Sequence, residues 1–159
     1  MTTPTVYPKT QPCTWIISGV HGDEPAGVAA ILQHGAPWPD YALIIPCVHP
    51  LALTFARRYG DIDSYRIALD GLKRVAEVYP PKLVLDLHED DEAESPGFYA
   101  YHHGKNGWLP QLVLAKIRDS GLKTVDIDTG TRFSQRIDMG LFSNPADGSI
   151  DEYLFERYG

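Results

Sequence analysis

Three short, largely apolar runs, Thr14 to Ser18, Tyr41 to Val48 and Lys82 to Leu87, constrain what this chain can fold into more than any other feature. A strand with one wet face alternates apolar and polar residues. A run that is apolar almost throughout buries both faces, as strands of a parallel sheet do when helices cover each side. The intervening segments supply those helices. Asp23 to Gln33 carries Ala26, Val28, Ala29, Ile31 and Leu32, with Gly35 and Pro37 as a stop, and Arg66 to Val78 carries Ile67, Leu69, Leu72, Val75 and Ala76 before Pro80-Pro81. Further along, the pattern predicts a strand over Gly97 to Tyr101, a helix over Leu109 to Ile117 and a strand over Lys123 to Ile127. Asp128 to Gly148 is polar with scattered glycine and proline and reads as a long loop. Ser149 to Tyr158 reads as a helix capped by Ser149, with Asp151 and Glu152 in its first turn. No internal repeat is visible. The expectation is an α/β fold with three layers, α/β/α, around a mostly parallel sheet, in a single domain over residues 1–159.

Charge and composition narrow the function classes. The net charge of -7, from 14 Lys plus Arg against 21 Asp plus Glu, argues against a nucleic-acid or anionic-membrane surface and leaves a small-molecule or peptide ligand. Met1 to Lys9 contains no apolar core of a signal peptide, and no run approaches membrane-spanning length, so a cytoplasmic location is expected. Cys13 and Cys47 stand far apart, each beside an expected strand and in no ligand-like spacing, which reads as two buried, reduced thiols.

His21-Gly22-Asp23-Glu24 follows the first apolar run directly, and Asp86-Leu87-His88 closes the third. A histidine and a glutamate three positions apart on a strand-to-helix turn, with a histidine from a second strand end, make three metal ligands. The fourth position stays open for water, which is the catalytic pattern for zinc. Asp86 and His88 share a strand face, the usual placing of a carboxylate that orients a ligating imidazole. Gly19 and Gly22 provide the permissive backbone that a tight turn needs. The same His21 and Glu24 also read as an ordinary cap at a helix start. The acidic run Glu89, Asp90, Asp91, Glu92 and Glu94 reads as a solvated loop, as a field favouring cationic or neutral substrates, or as oxygen ligands for a second ion. Arg57, Arg58 and Arg66, each taken alone, also read as a solvated basic patch that balances an acidic protein. His102-His103 reads as an exposed turn or pocket wall, and His34 and His49 are not expected to bind metal.

Three spaced motifs carry a family resemblance. Val20-His21-Gly22-Asp23-Glu24-Pro25-Ala26-Gly27 comes first. The second runs from His49-Pro50-Leu51-Ala52 through Arg57-Arg58-Tyr59 to Asp61-Ile62-Asp63-Ser64-Tyr65-Arg66, and the third is Asp86-Leu87-His88-Glu89-Asp90. Together, over Trp15 to Tyr101, they resemble the zinc carboxypeptidase superfamily, in particular the succinylglutamate desuccinylase and aspartoacylase branch. The resemblance implies one zinc ion held by His21, Glu24 and His88. It implies a hydrolase of an amide bond beside a carboxylate, either a metallocarboxypeptidase or an N-acyl amino-acid deacylase, whose substrate carries a free carboxylate. Arg58 would face the oxyanion and Arg66 would grip the substrate carboxylate, with Tyr65 standing where the family has asparagine and His49 where it opens the motif with Asn-Pro. The family's Thr-x-Glu general base, which takes a proton from the attacking water, has no match. Gly148-Ser149-Ile150-Asp151-Glu152-Tyr153 resembles the segment preceding the strand that bears it, and Glu152 and Glu156 read as solvated helix residues. The expectation is therefore a chain lacking the family's C-terminal strand and helix. The alternative reading is a zinc-binding fragment or degenerate relative without catalysis.

Overall fold

The computed structural model describes residues 13–55, 62–89, 97–103, 108–125, 135–138, 141–143 and 150–158. The chain divides into two units, residues 1–89 and 90–157. The first contains β1 (Cys13–Ser18), α1 (Pro25–Leu32), β2 (Ala42–Ile45), α2 (Pro50–Phe55), α3 (Ile62–Val78) and β3 (Pro81–Leu87). Its three strands are parallel in the order β2-β1-β3, with Thr14 opposite Ala42 and Leu83, and Ile17 opposite Ile45 and Asp86. Central placement explains why β1 is apolar on both faces, and Trp15 and Ile17 are fully buried. The indole Nε1 of Trp15 donates to the carbonyl oxygen of Tyr79, just past α3, at 3.1 Å.

The strand order also places the helices. The crossover from β1 to β2 moves one way across the sheet and the crossover from β2 to β3 moves back. With right-handed connections, α1 and α3 then cover opposite faces. Val28 and Ile31 of α1, and Leu72 and Ala76 of α3, are buried. Ile67, expected on the apolar face of α3, is instead 72% exposed. It stands five residues before Leu72, about 140° around the helix from it. The expected strand over Tyr41 to Val48 is trimmed to Ala42–Ile45 because Pro46 has no N–H to give the ladder. Parallel bonding resumes beyond it, Val48 N–H to Ser18 oxygen and His49 N–H to Gly19 oxygen, both at 2.9 Å. Sequence reading missed α2, a six-residue helix with Pro50 at its start, which is too short to show a period.

Cys47 is a free thiol, half-buried rather than buried, and burial raises its pKa against the backbone hydrogen bond at His49 that lowers it. The register sets Cys13 beside Tyr41 at the opposite end of the strands. Six strand positions, roughly 20 Å, separate it from Cys47, too far for a disulfide.

The second unit contains β4 (Ala100–His102), α4 (Trp108–Asp119), β5 (Gln135–Asp138), β6 (Leu141–Ser143) and α5 (Ile150–Tyr158). Its sheet has the order β4-β6-β5, with β4 and β6 parallel and β5 and β6 antiparallel. Two strands thus lie within the stretch expected to be a loop. Gln-Arg-Ile-Asp and Leu-Phe-Ser are four and three residues long, below the length at which an apolar run or an alternation declares itself. The expected strand from Lys123 is reduced, among the described residues, to a single parallel bridge between Thr124 and Phe98.

Trp15 fills the centre of the first unit, so Trp15→Ala is expected to cost about 3–5 kcal/mol of unfolding free energy. Urea denaturation followed by circular dichroism measures it, and a loss below about 1 kcal/mol would contradict this packing.

Candidate metal centre

β1 and β3 are neighbours, and their carboxyl ends carry the two halves of the centre. After Ser18 the chain turns at Gly19, whose φ is +65°. A Cβ there would stand 2.8 Å from Cγ2 of Val28 and 3.0 Å from Sγ of Cys47, so both conformation and space demand glycine. Gly22, expected to share that role, has no positive φ. Ser18 fixes the turn by donating its hydroxyl to the Pro46 carbonyl at 2.7 Å. The chain then passes His21 and Glu24 and enters α1 with Pro25 at its first position. Gly27 lets the first turn of that helix press on the end of β3. A Cβ there would lie 2.5 Å from the Leu87 oxygen and 3.0 Å from the Ser18 Cβ. The residue after Leu87 is His88, so this close approach brings Glu24 and His88 together.

Glu24 joins the two histidines. Nδ1–H of His21 donates to Oε1 at 2.8 Å, and Nδ1–H of His88 donates to Oε2 at 2.6 Å. The imidazole centroids are 5.1 Å apart. Each residue offers one ligand atom within 4.8 Å of the other two, and among the described residues this is the one group of His, Cys, Asp and Glu arranged to hold a metal ion. Glu24 is 5% exposed, while the side chain of His88 is 33% exposed and opens the group to solvent. Behind His88, half-buried Asp86, whose side chain is 6% exposed, places Oδ2 3.0 Å from Nε2, an ion-pair distance, although neither oxygen of Asp86 is in hydrogen-bonding geometry.

The electrostatics follow from this crowding. Burial alone would raise the Glu24 carboxyl, but the bonds and charges of His21 and His88 outweigh it and hold Glu24 well below the usual carboxylate range. Burial likewise would lower His88, but Asp86 and Glu24 on either side push it up to about 11. Glu24 occupies the N-cap position of α1, with φ -116° and ψ 68°, yet makes no side-chain capping bond. Both of its oxygens are turned to the histidines, so the plain helix-cap reading does not describe what the carboxylate does. Two imidazole nitrogens and one carboxylate are a donor set able to hold a divalent metal.

The other expected site residues scatter. Arg57 and Arg58 lie outside the described residues, as do residues 90–94 of the acidic run. Arg66 is exposed on α3, its guanidinium 3.9 Å from Asp63. Tyr65 sets its ring against that of His49 with centroids 5.9 Å apart. His49 and Ser64 are both buried and share a 3.0 Å hydrogen bond between Nε2 and Oγ. Sequence reading missed this pair, whose only outward sign is a histidine where the resembling family has asparagine. It also missed Glu89, whose Oε2 accepts the Ala26 N–H at 3.0 Å. His34 is exposed, with its ring 4.0 Å from that of Trp38. His102 and His103 are half-buried, not an exposed turn, and Glu156 is exposed on α5.

Among solved structures, the chain is similar to three proteins proposed to be metallopeptidases. Those from Shewanella denitrificans, Shewanella amazonensis and Shewanella baltica superpose with TM-scores of 0.69, 0.66 and 0.64 at 18%, 16% and 16% identity. The matches cover 95%, 95% and 96% of this chain but 64%, 67% and 66% of those chains, so it spans about two-thirds of their length. No protein-family model matches the chain, and no curated protein matches it either. The fold is therefore α/β and metallopeptidase-like, with a parallel three-stranded sheet flanked by helices and a His21-Glu24-His88 group able to bind a metal.

Two outcomes follow from this geometry. Gly27→Ala forces α1 away from Leu87 and is expected to cost about 1–3 kcal/mol and to weaken metal binding. Unfolding in chelator and zinc titration measure the two effects, and an unchanged zinc affinity would contradict the role given to the close approach. In the metal-free chain, the raised pKa of His88 gives stability present in full below about pH 6.5 and lost as pH rises through about 11. Denaturation midpoints at pH 6 and pH 11, in chelator, should fall further for the unsubstituted chain than for His88→Gln.

Proposed function

We propose that the chain belongs to a zinc-dependent hydrolase that cleaves an amide bond beside a carboxylate, as a metallocarboxypeptidase or an N-acyl amino-acid deacylase. The observation that carries the reading is the convergence of two imidazole Nδ1 atoms and the Glu24 carboxylate at the carboxyl ends of two adjacent parallel strands. His21, Glu24 and His88 would hold the ion, which supplies a Lewis acid that polarises a carbonyl and activates water. The donor set fits, because Glu24 is held ionised and the nitrogens that now donate to it become ligands once their protons leave. Asp86 steadies the His88 ring from its far side.

The rest of the chemistry belongs to residues of the middle motif. Arg58 would stabilise the oxyanion. Arg66, exposed at the start of α3, is the cation offered to a substrate carboxylate, and Tyr65 beside it would shape that subsite. The substrate is a small molecule or peptide with a free carboxylate, not a nucleic acid or a membrane surface. The sequence contains no match to the family's general-base glutamate, so that role is assigned to no residue.

Zinc-loaded protein assayed against peptides with free C-termini and against N-acyl amino acids is expected to release product, with turnover abolished by a chelator. His88→Ala should lose both zinc and turnover, while His103→Ala keeps both. Zinc binding with no hydrolysis of any substrate would favour a metal-binding domain without catalysis, and full zinc content in His88→Ala would overturn the ligand set.

A further inference from the structure

We infer that Glu89 is a positioning residue for the metal centre: it caps α1 in place of Glu24 and so leaves both oxygens of Glu24 to the metal. The inference rests on the metal reading above and goes beyond it to a residue outside the ligand set.

A helix start leaves several backbone N–H groups without partners, and the side chain at the N-cap position ordinarily serves one of them. Glu24 holds that position and serves none. Pro25, next in the chain, has no N–H, so Ala26 presents the first amide of the helix. Its partner comes from 63 residues away, Oε2 of Glu89 at 3.0 Å. Glu89 directly follows His88, so one bond fastens the segment bearing His21 and Glu24 to the segment bearing His88. It does so beside the point where Gly27 already touches the Leu87 backbone. The charge of Glu89 also suits its place, since a carboxylate at a helix N-terminus is favourably placed against the helix dipole.

Without Glu89, Glu24 at the N-cap position is a carboxylate placed to turn to the Ala26 amide. Turning there would withdraw an oxygen from His21 or His88 and spoil the site. Groups that hold metal ligands in place commonly change metal affinity about 10- to 100-fold when removed. The effect depends on a hydrogen-bond acceptor, so an amide oxygen at the same place should largely restore it.

The test is zinc affinity by competition with a chromophoric chelator, on the full chain, for the unsubstituted protein, Glu89→Ala and Glu89→Gln. The visible spectrum of the cobalt(II)-substituted forms and the melting temperature in chelator are recorded alongside. Glu89→Ala is expected to bind zinc about 10-fold more weakly or worse and to shift the cobalt bands. Glu89→Gln should stay within about 3-fold of the unsubstituted chain, as expected of a capping bond without its charge. A role confined to helix stability would lower the melting temperature of Glu89→Ala yet leave zinc affinity and the cobalt spectrum unchanged, and that result overturns the inference. Equal damage from Gln and Ala overturns it as well, because charge rather than the capping bond would then be at work. Failure of the unsubstituted chain to bind zinc overturns the metal reading and this inference together, whereas tight zinc binding indifferent to Glu89→Ala overturns this inference alone.

Discussion

A buried carboxylate that faces two imidazoles organises this end of the molecule. An ionised group removed from water costs several kcal/mol unless it is paired, and Glu24 has a charge-assisted bond on each oxygen. Those bonds need three segments in register: the turn after β1, the first turn of α1 and the residue following β3. Gly19 turns the chain where no side chain fits, and Gly27 admits α1 to the backbone of Leu87. Pro25 starts the helix without adding an unserved amide. Each of these residues is explained by the need to bring Glu24 between His21 and His88.

The sheet supplies the platform. Strand order β2-β1-β3 sends the connection after β1 away from β3, so the two strand ends carrying the centre are adjacent while the chain leaving β1 departs the other way. Open α/β sheets leave a crevice at such places, outside the carboxyl ends of the strands, and ligands gather there. The fully buried Trp15 and Ile17 hold β1 rigid beneath the turn. A centre mounted on two strand ends keeps its geometry better than one on loops alone.

Much of this was legible in sequence because several levels agreed. An unbroken apolar run means a strand buried on both faces, and His21, Glu24, Asp86 and His88 stand directly after or within two such runs, so fold and site reported on each other. What escaped was short or lacked a period. α2 has six residues, β5 and β6 four and three, and no periodicity survives at that length. The trimming of β2 is a case of local chemistry overriding an apolar run, since Pro46 removes one donor. Ile67 shows the reverse error, an apolar residue credited to a buried face that the helix turns toward water. The links of Glu89 to Ala26 and of His49 to Ser64 span 63 and 15 residues, and such pairings leave no mark in a linear pattern.

The centre and the middle motif stand under different constraints. A change at His21, Glu24 or His88 would remove a donor from the group able to hold a metal. The middle motif departs from the resembling family at His49 and Tyr65. They are also coupled. The ring of Tyr65 rests against His49, and His49 bonds Ser64 in the preceding position of α3. The backbone N–H of His49 donates to the Gly19 oxygen at the start of the turn that carries His21 and Glu24. A histidine in place of asparagine thus comes with a hydroxyl that receives it and an aromatic ring that covers it. That set of three binds the start of α3, which carries Arg66, to the same turn that carries His21.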